Sequence, residues 1–244
     1  GQHRAPLQRE RQLTRIAVVG TGAVGASIAA WLIAAPGHDV TLCVRTPFET
    51  LRVETPEGVL ESTPRLLTDP ANASPVDWVL VVTKTYDAPG AQRWLDHLVG
   101  PDTRVAILQN GVEHRTRFLG LDPARIVPVI VDIPAERRAP GDVVQRRNGS
   151  LTVPDDDAGR AFAALFAHSP IDTVLTDDWL SAAWRKLAVN CAGAVNALTL
   201  QPAGIARDAE AADLMRALIR ECIAVGRAEG AILPEDLPDR IVEG

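Results

Sequence analysis

Gly20-Thr21-Gly22-Ala23-Val24-Gly25 carries glycines at the spacing G-x-G-x-x-G, directly after the apolar run Arg15-Ile-Ala-Val-Val and before the helix-forming run Ala26 to Ala35. That context gives each glycine a task. The first permits a tight turn, the second lets a pyrophosphate approach the backbone, and the third allows helix and strand to pack closely. A phosphate placed there meets the positive end of a helix. Dinucleotide binding is therefore the first expectation, with Gly20, Thr21, Gly22, Ala23, Val24 and Gly25 as cofactor-binding residues. A second strand ends Leu42-Cys43-Val44-Arg45 and has no acid at that end. An NAD site places Asp or Glu there for the ribose 2′-OH, whereas an Arg suits a 2′-phosphate. Arg45 thus points to NADP; the plainer reading is one solvated arginine among many.

Two further groups stand near strand ends or on a helix. Lys84 follows the apolar run Asp77 to Thr83, and Asn110 follows Arg104 to Leu108. In open parallel sheets ligands sit outside the carboxyl ends of the strands, so both face the crevice of the glycine turn. Asn110-Gly111 also reads as an ordinary turn. Lys186 and Asn190, in Trp184-Arg-Lys-Leu-Ala-Val-Asn190, are four apart and share a helix face. Trp184, Leu187, Ala188 and Cys191 form an apolar stripe beside them. A lysine at the margin of a buried face gives up its proton more readily; a snorkelling surface lysine is the alternative. The chain has 23 Arg and only two Lys, Lys84 and Lys186. Arg stays charged while Lys can release a proton, so the two exceptions invite a chemical role.

The elements needed to position these groups follow from the apolar pattern. Strands are expected at 15–19, 40–44, 77–83 and 104–108, and a small hairpin around Pro56-Glu57-Gly58 within 53–61. Further strands are expected at 125–133, 141–145, 151–153 and 171–175. Helices are expected at 26–35, 91–99 and 158–167. After Thr176 the β-branched runs give way to Ala, Leu, Arg and Glu. Asp177 can cap a helix through the Asn190 region, Ala209 to Glu229 reads as a second long helix, and Leu237 to Glu243 begins a third. The order is an α/β domain at 15–176 followed by an all-α domain at 177–244, with residues 1–14 as a disordered tail. The acidic run Asp155-Asp156-Asp157 fits helix capping and the helix dipole better than metal binding.

The composition narrows the function classes. In 244 residues there are 25 basic and 31 acidic side chains, a formal charge of −6, which argues against a general nucleic-acid binder. No apolar stretch reaches the ~18 residues of a membrane span. Cys43, Cys191 and Cys222 lack metal-ligand spacing and suggest a reducing cytoplasm. None of the histidines His3, His38, His97, His114 and His168 is paired at such spacing; they read as surface or loop residues, and no metal is expected.

The ordered set Gly20-Thr-Gly-Ala-Val-Gly25, Arg45, Val82-Thr-Lys-Thr85, Gln109-Asn-Gly111 and Trp184-Arg-Lys-Leu-Ala-Val-Asn-Cys191 resembles the ketopantoate reductases, or 2-dehydropantoate 2-reductases. The last motif is the most specific, and the set spans residues 15 to about 200. The resemblance implies a Rossmann domain followed by a helical domain like the C-terminal domain of 6-phosphogluconate dehydrogenase. It implies an NADPH-dependent oxidoreductase of pantothenate biosynthesis acting on a small 2-oxo acid, ketopantoate first. Lys186 is then the general acid, Asn190 and Asn196 contact substrate, and Lys84 and Asn110 lie near the nicotinamide. Asn196 stands farther from Asn190 than the family's next asparagine usually does.

Two departures accompany the resemblance. Ala203 stands near where the family carries a further asparagine, which motivates a different 2-oxo acid as an alternative substrate. The family's Ser-containing loop and acidic residue would fall beyond Gly244, and a helical domain of about 70 residues is small for its own core; further C-terminal residues are expected. A non-catalytic NADP-binding sensor is the alternative of another class. Related folds commonly use the helical domain for dimer contacts, so a homodimer is possible by analogy of fold alone, and the sequence itself does not give the oligomeric state.

Overall fold

The structure is a computed structural model and describes residues 13–243. The tail expected at 1–14 lies outside the described residues except for Leu13 and Thr14, and His3 lies outside them as well. In chain order the elements are β1 (Thr14–Val19), α1 (Ala23–Ala34), β2 (His38–Cys43), β3 (Leu51–Thr55), β4 (Gly58–Ser62), β5 (Arg65–Leu67), β6 (Trp78–Val81), α2 (Ala88–Leu98), β7 (Arg104–Ile107), β8 (Ile126–Pro128), β9 (Ile130–Asp132), β10 (Ala135–Ala139), β11 (Asp142–Gln145), β12 (Ser150–Pro154), α3 (Asp157–Ala164), β13 (Asp172–Thr176), α4 (Trp179–Thr199), α5 (Ala209–Ala228) and α6 (Leu237–Glu243).

Apolar runs buried on both faces make a parallel sheet, and six of these strands form one in the order β5-β2-β1-β6-β7-β8. Strand order reverses between β1 and β6, and in such sheets the crevice at the reversal holds the ligand. A second, mixed sheet, β10-β11-β3-β4, includes the expected hairpin as β3–β4. Helix α1 packs against β2 on one side and against β3, β4, β10 and β11 on the other. Being covered on both sides explains why every residue from Gly25 to Leu32 is buried, and why AVGASIAAWLIA has no polar face. A third sheet, β13-β12-β9, carries Asp132 at its edge.

The apolar stripe on α4 meets α5 and α6 in a separate core of Trp184, Ala188, Ala192, Val195, Met215, Ile219, Ile223 and Leu237. Gly226 of α5 is required there, because a Cβ would come within 2.9 Å of the Trp184 ring. Three sequence expectations are corrected. Asp178, not Asp177, caps α4, its carboxylate accepting from the Ser181 N–H at 3.0 Å. The single strand expected at 125–133 is broken into β8 and β9, which pair in different sheets. His114 is no surface group: it is buried at 1% exposure.

Candidate active site

The glycine turn is shaped by close contacts that side chains would forbid. Gly20 has φ +99°, and a Cβ there would lie 2.8 Å from Thr83, while a Cβ at Gly25 would collide with the Gly20 carbonyl. Gly22 differs. Its Cβ would meet nothing within 4 Å, because it looks into open space at the start of α1. Gly22 is the N-cap of α1, no side chain caps that end, and no acid stands in the first turn. The uncapped N–H groups and the helix dipole are left available to an anion. Gly22, Ala23 and Val24 line a cleft of about 300 Å³. These features fit the pyrophosphate of a dinucleotide, which Gly22, Ala23 and Val24 would hold through their backbone. Arg45 sits just past β2, 86% exposed, 3.5 Å from Asp87, where β2 runs beside β1 and the turn.

The ends of β6 and β7 form the cleft's next wall. Lys84 and Asn110 both line it, and both are exposed. Gln109, a residue the sequence reading did not single out, ties them together. It is buried, and its amide donates to the Thr83 hydroxyl at 2.8 Å and to the Lys84 carbonyl at 3.2 Å. Arg117 in turn donates to the Gln109 side-chain oxygen at 3.1 Å.

Helix α4 closes the cleft from the other side. Lys186 and Asn190 line it together, as their shared face requires. Asn196 does not join them. Six residues beyond Asn190 along a helix it is turned well away, and its amide instead donates to the Gln201 carbonyl at 3.3 Å near the end of α4. Ala203 begins a short 3₁₀ turn after α4 and lines no part of the cleft. The structure therefore brings together Gly22, Ala23, Val24, Lys84, Asn110, Lys186 and Asn190. It places Gly20 and Gly25 behind the turn, Thr21 within the turn, Arg45 beyond the lining, and Asn196 away from it.

The Lys186 ammonium donates to Asp132 Oδ1 at 3.0 Å. Arg147 holds the other oxygen, Nη2 to Oδ2 at 2.8 Å. Desolvation, the largest single influence on the Asp132 carboxyl, pushes its pKa up. The hydrogen bonds and charges of Arg147 and Lys186 together outweigh it and hold the group below its ordinary value. Asp132 was legible only as an acid interrupting the apolar run Val129-Ile-Val-Asp-Ile133.

A recess of about 10 Å³ leads inward from Lys186 and Asn190 to His114. Neither ring nitrogen of His114 completes a hydrogen bond, and its ring stands edge-on to Trp179 at 5.1 Å. Burial first, and the Arg117 charge second, push its pKa down to about 4. The nearby carbonyls of Gln109 and Val112 and the Glu113 charge oppose this only in part. Among the described residues no cluster of His, Cys, Asp and Glu could hold a metal ion, and no helix is long and apolar enough to cross a membrane.

Comparison with known proteins places this geometry. Residues 16–158 match the family "Ketopantoate reductase PanE/ApbA", and residues 178–244 match its C-terminal family. The chain is 62% identical to a 2-dehydropantoate 2-reductase of Caulobacter vibrioides, over 95% of this chain and 80% of that protein. It is 36% identical to a 2-dehydropantoate 2-reductase of Mycobacterium tuberculosis, over 94% and 78%. A crystal structure of 2-dehydropantoate 2-reductase from Geobacter metallireducens superposes with a TM-score of 0.85 at 28% identity, covering 94% of this chain and 81% of that one. A dimeric ketopantoate reductase from Staphylococcus aureus superposes at 0.81 with 25% identity, over 94% and 85%.

Proposed function

The chain belongs to the ketopantoate reductase family, and from that premise we propose that it reduces 2-dehydropantoate to pantoate with NADPH, using Lys186 as the proton donor. The observation that carries the residue assignment is the shared cleft: Lys186 and Asn190 face the same 300 Å³ space as the uncapped start of α1. When bound, NADPH supplies the hydride. The chain's own residues do the remainder. Backbone N–H groups at Gly22 to Val24 would hold the pyrophosphate, Arg45 would pair with the 2′-phosphate, and Lys84 and Asn110 would stand toward the nicotinamide end.

The substrate carbonyl oxygen gains negative charge as C2 is reduced. The Lys186 ammonium stabilises that charge and passes a proton to the oxygen, completing the hydroxyl. Asn190, one helical turn on, donates to the substrate and fixes its orientation. A guanidinium cannot replace the ammonium, because it does not release a proton near neutral pH. A sensor without turnover would leave Lys186 and Asn190 on the cleft wall with no task. NADPH oxidation measured across a panel of 2-oxo acids tests the reading: ketopantoate is expected to give the highest kcat/KM, and a higher value for another acid would reassign the substrate.

A homodimer and a cytoplasmic location belong to the same proposal. The first is supported by the dimeric relative from Staphylococcus aureus, the second by cysteines that are all free thiols. Light scattering at working concentration is expected to give twice the chain mass.

A further inference from the structure

Asp132 lies outside every motif that carries the family resemblance, yet it makes the contact nearest the reacting group. Its two oxygens are divided between two cations, Oδ1 at 3.0 Å from Lys186 Nζ and Oδ2 at 2.8 Å from Arg147 Nη2. The surrounding structure fixes this division. Gln145 is 2% exposed, and its amide donates to the carbonyls of Arg147 and Asn148 at 3.1 and 3.0 Å. Its side-chain oxygen accepts from the Trp31 indole at 3.0 Å, which anchors the Arg147 turn to α1. Gly149 has φ +72°, and a Cβ there would collide with the Asp132 carbonyl, so the turn is pressed directly onto β9.

We propose that Asp132 is a positioning residue for Lys186: its Oδ1 holds one N–H of the ammonium so that the remaining N–H groups face the cleft, while Arg147 fixes the carboxylate that does so. The inference rests on Lys186 being the acid. An ammonium on a four-carbon stem has three rotatable donors and much rotamer freedom. A single anchoring acceptor on the opposite wall removes part of that freedom before substrate arrives. The paired charges also matter. Arg147, Asp132 and Lys186 sum to one positive charge, so an acid substrate still meets net attraction although a carboxylate lines its cleft. The other ionisable groups around Lys186 are His114 at the end of the recess and Lys84 across the cleft.

The two lysines make a direct test possible without turnover. In cofactor-free protein, acetic anhydride labels amines, and mass spectrometry separates the Lys84 and Lys186 peptides. Asp132→Asn is expected to speed labelling of Lys186 several-fold, with Lys84 unchanged as the internal standard. Arg147→Gln is expected to slow it, because Asp132 then serves Lys186 alone. In turnover, Asp132→Asn is expected to lower kcat by about 10- to 100-fold, with KM for the 2-oxo acid not raised and NADPH affinity unchanged; Asp132→Glu recovers part of the loss. Unchanged Lys186 labelling in both Asp132→Asn and Arg147→Gln would overturn the proposal. So would a kcat equal to or above wild type in Asp132→Asn, which would make Asp132 a resting counter-ion that substrate displaces. If Asp132→Asn does not fold, the labelling of Arg147→Gln and the kcat of Asp132→Glu decide the matter. Failure of the reductase reading itself is seen separately, as absence of wild-type turnover on any 2-oxo acid.

Discussion

At one end of the cleft the groups offered to a ligand are backbone N–H donors at the start of α1; at the other they are the side chains of Lys186 and Asn190 on α4. The first end is made by steric exclusion, within the turn itself at Gly25 and against Thr83 of the neighbouring strand end at Gly20. The second is made by segments far apart in the chain, β9, the Arg147 turn and α4, meeting through charge. A backbone site tolerates changes of side-chain chemistry but not of volume. A side-chain site tolerates small volume changes but not the loss of one proton-bearing group. The two ends should therefore fail differently.

The largest separation is expected from Lys186→Ala. Loss of the proton donor should lower kcat by about 10²- to 10⁴-fold, while fluorescence titration gives an NADPH Kd close to wild type. Weakened NADPH binding of similar size would mean that the two ends are not separate.

His114 lines the recess beside Lys186 and Asn190, and its effect is on stability. Its folded pKa of about 4 lies below the ordinary value of 6.5, so between those pH values the unfolded chain binds a proton that the folded chain refuses. Stability is then lost as pH falls from about 6.5 towards 4, by about 3 kcal/mol in total. Urea melts of wild type and His114→Leu across that range should show the slope in wild type and its reduction in the variant.

Gly22→Val sharpens the cofactor end. The position has ordinary φ and open space, so Tm should hold within a few degrees while the side chain blocks the phosphates, raising NADPH Kd by about 10- to 100-fold. Gly25→Val should instead fail by destabilisation, because its Cβ has no room. The smallest effect is expected from Arg45→Ala. This exposed side chain should cost about tenfold in NADPH affinity and leave NADH unchanged.

This contrast also explains what could be read from the chain alone. The glycine spacing, most of the apolar strand runs and the four-residue step from Lys186 to Asn190 are local periodicities; the strand–turn–helix and the shared face of α4 follow them, whereas the run at 125–133 splits between two sheets. Asn196 was matched by motif order, but motif order carries no helix phase, and six residues turn it away from Asn190. Asp132, Arg147 and Gln109 act through partners far away in sequence, and no local pattern encodes such pairs. His114 looked like a loop residue because it is one; its burial comes from α4 and Trp179 packing over that loop. Likewise Cys191 and Cys222, isolated in sequence, meet across α4 and α5, where burial and then the neighbouring thiol push the Cys222 pKa up to about 12.

Lys186 supplies the proton while NADPH, bound in the same cleft, would supply the hydride. A direct test follows NADPH deuterated at both C4 positions with ketopantoate, by mass spectrometry of the product, in wild type and Lys186→Arg. The wild type is expected to give pantoate carrying one deuterium on C2, and Lys186→Arg to lose most of that product although NADPH still binds. Deuterated pantoate formed by Lys186→Arg at a near wild-type rate would contradict that role for Lys186.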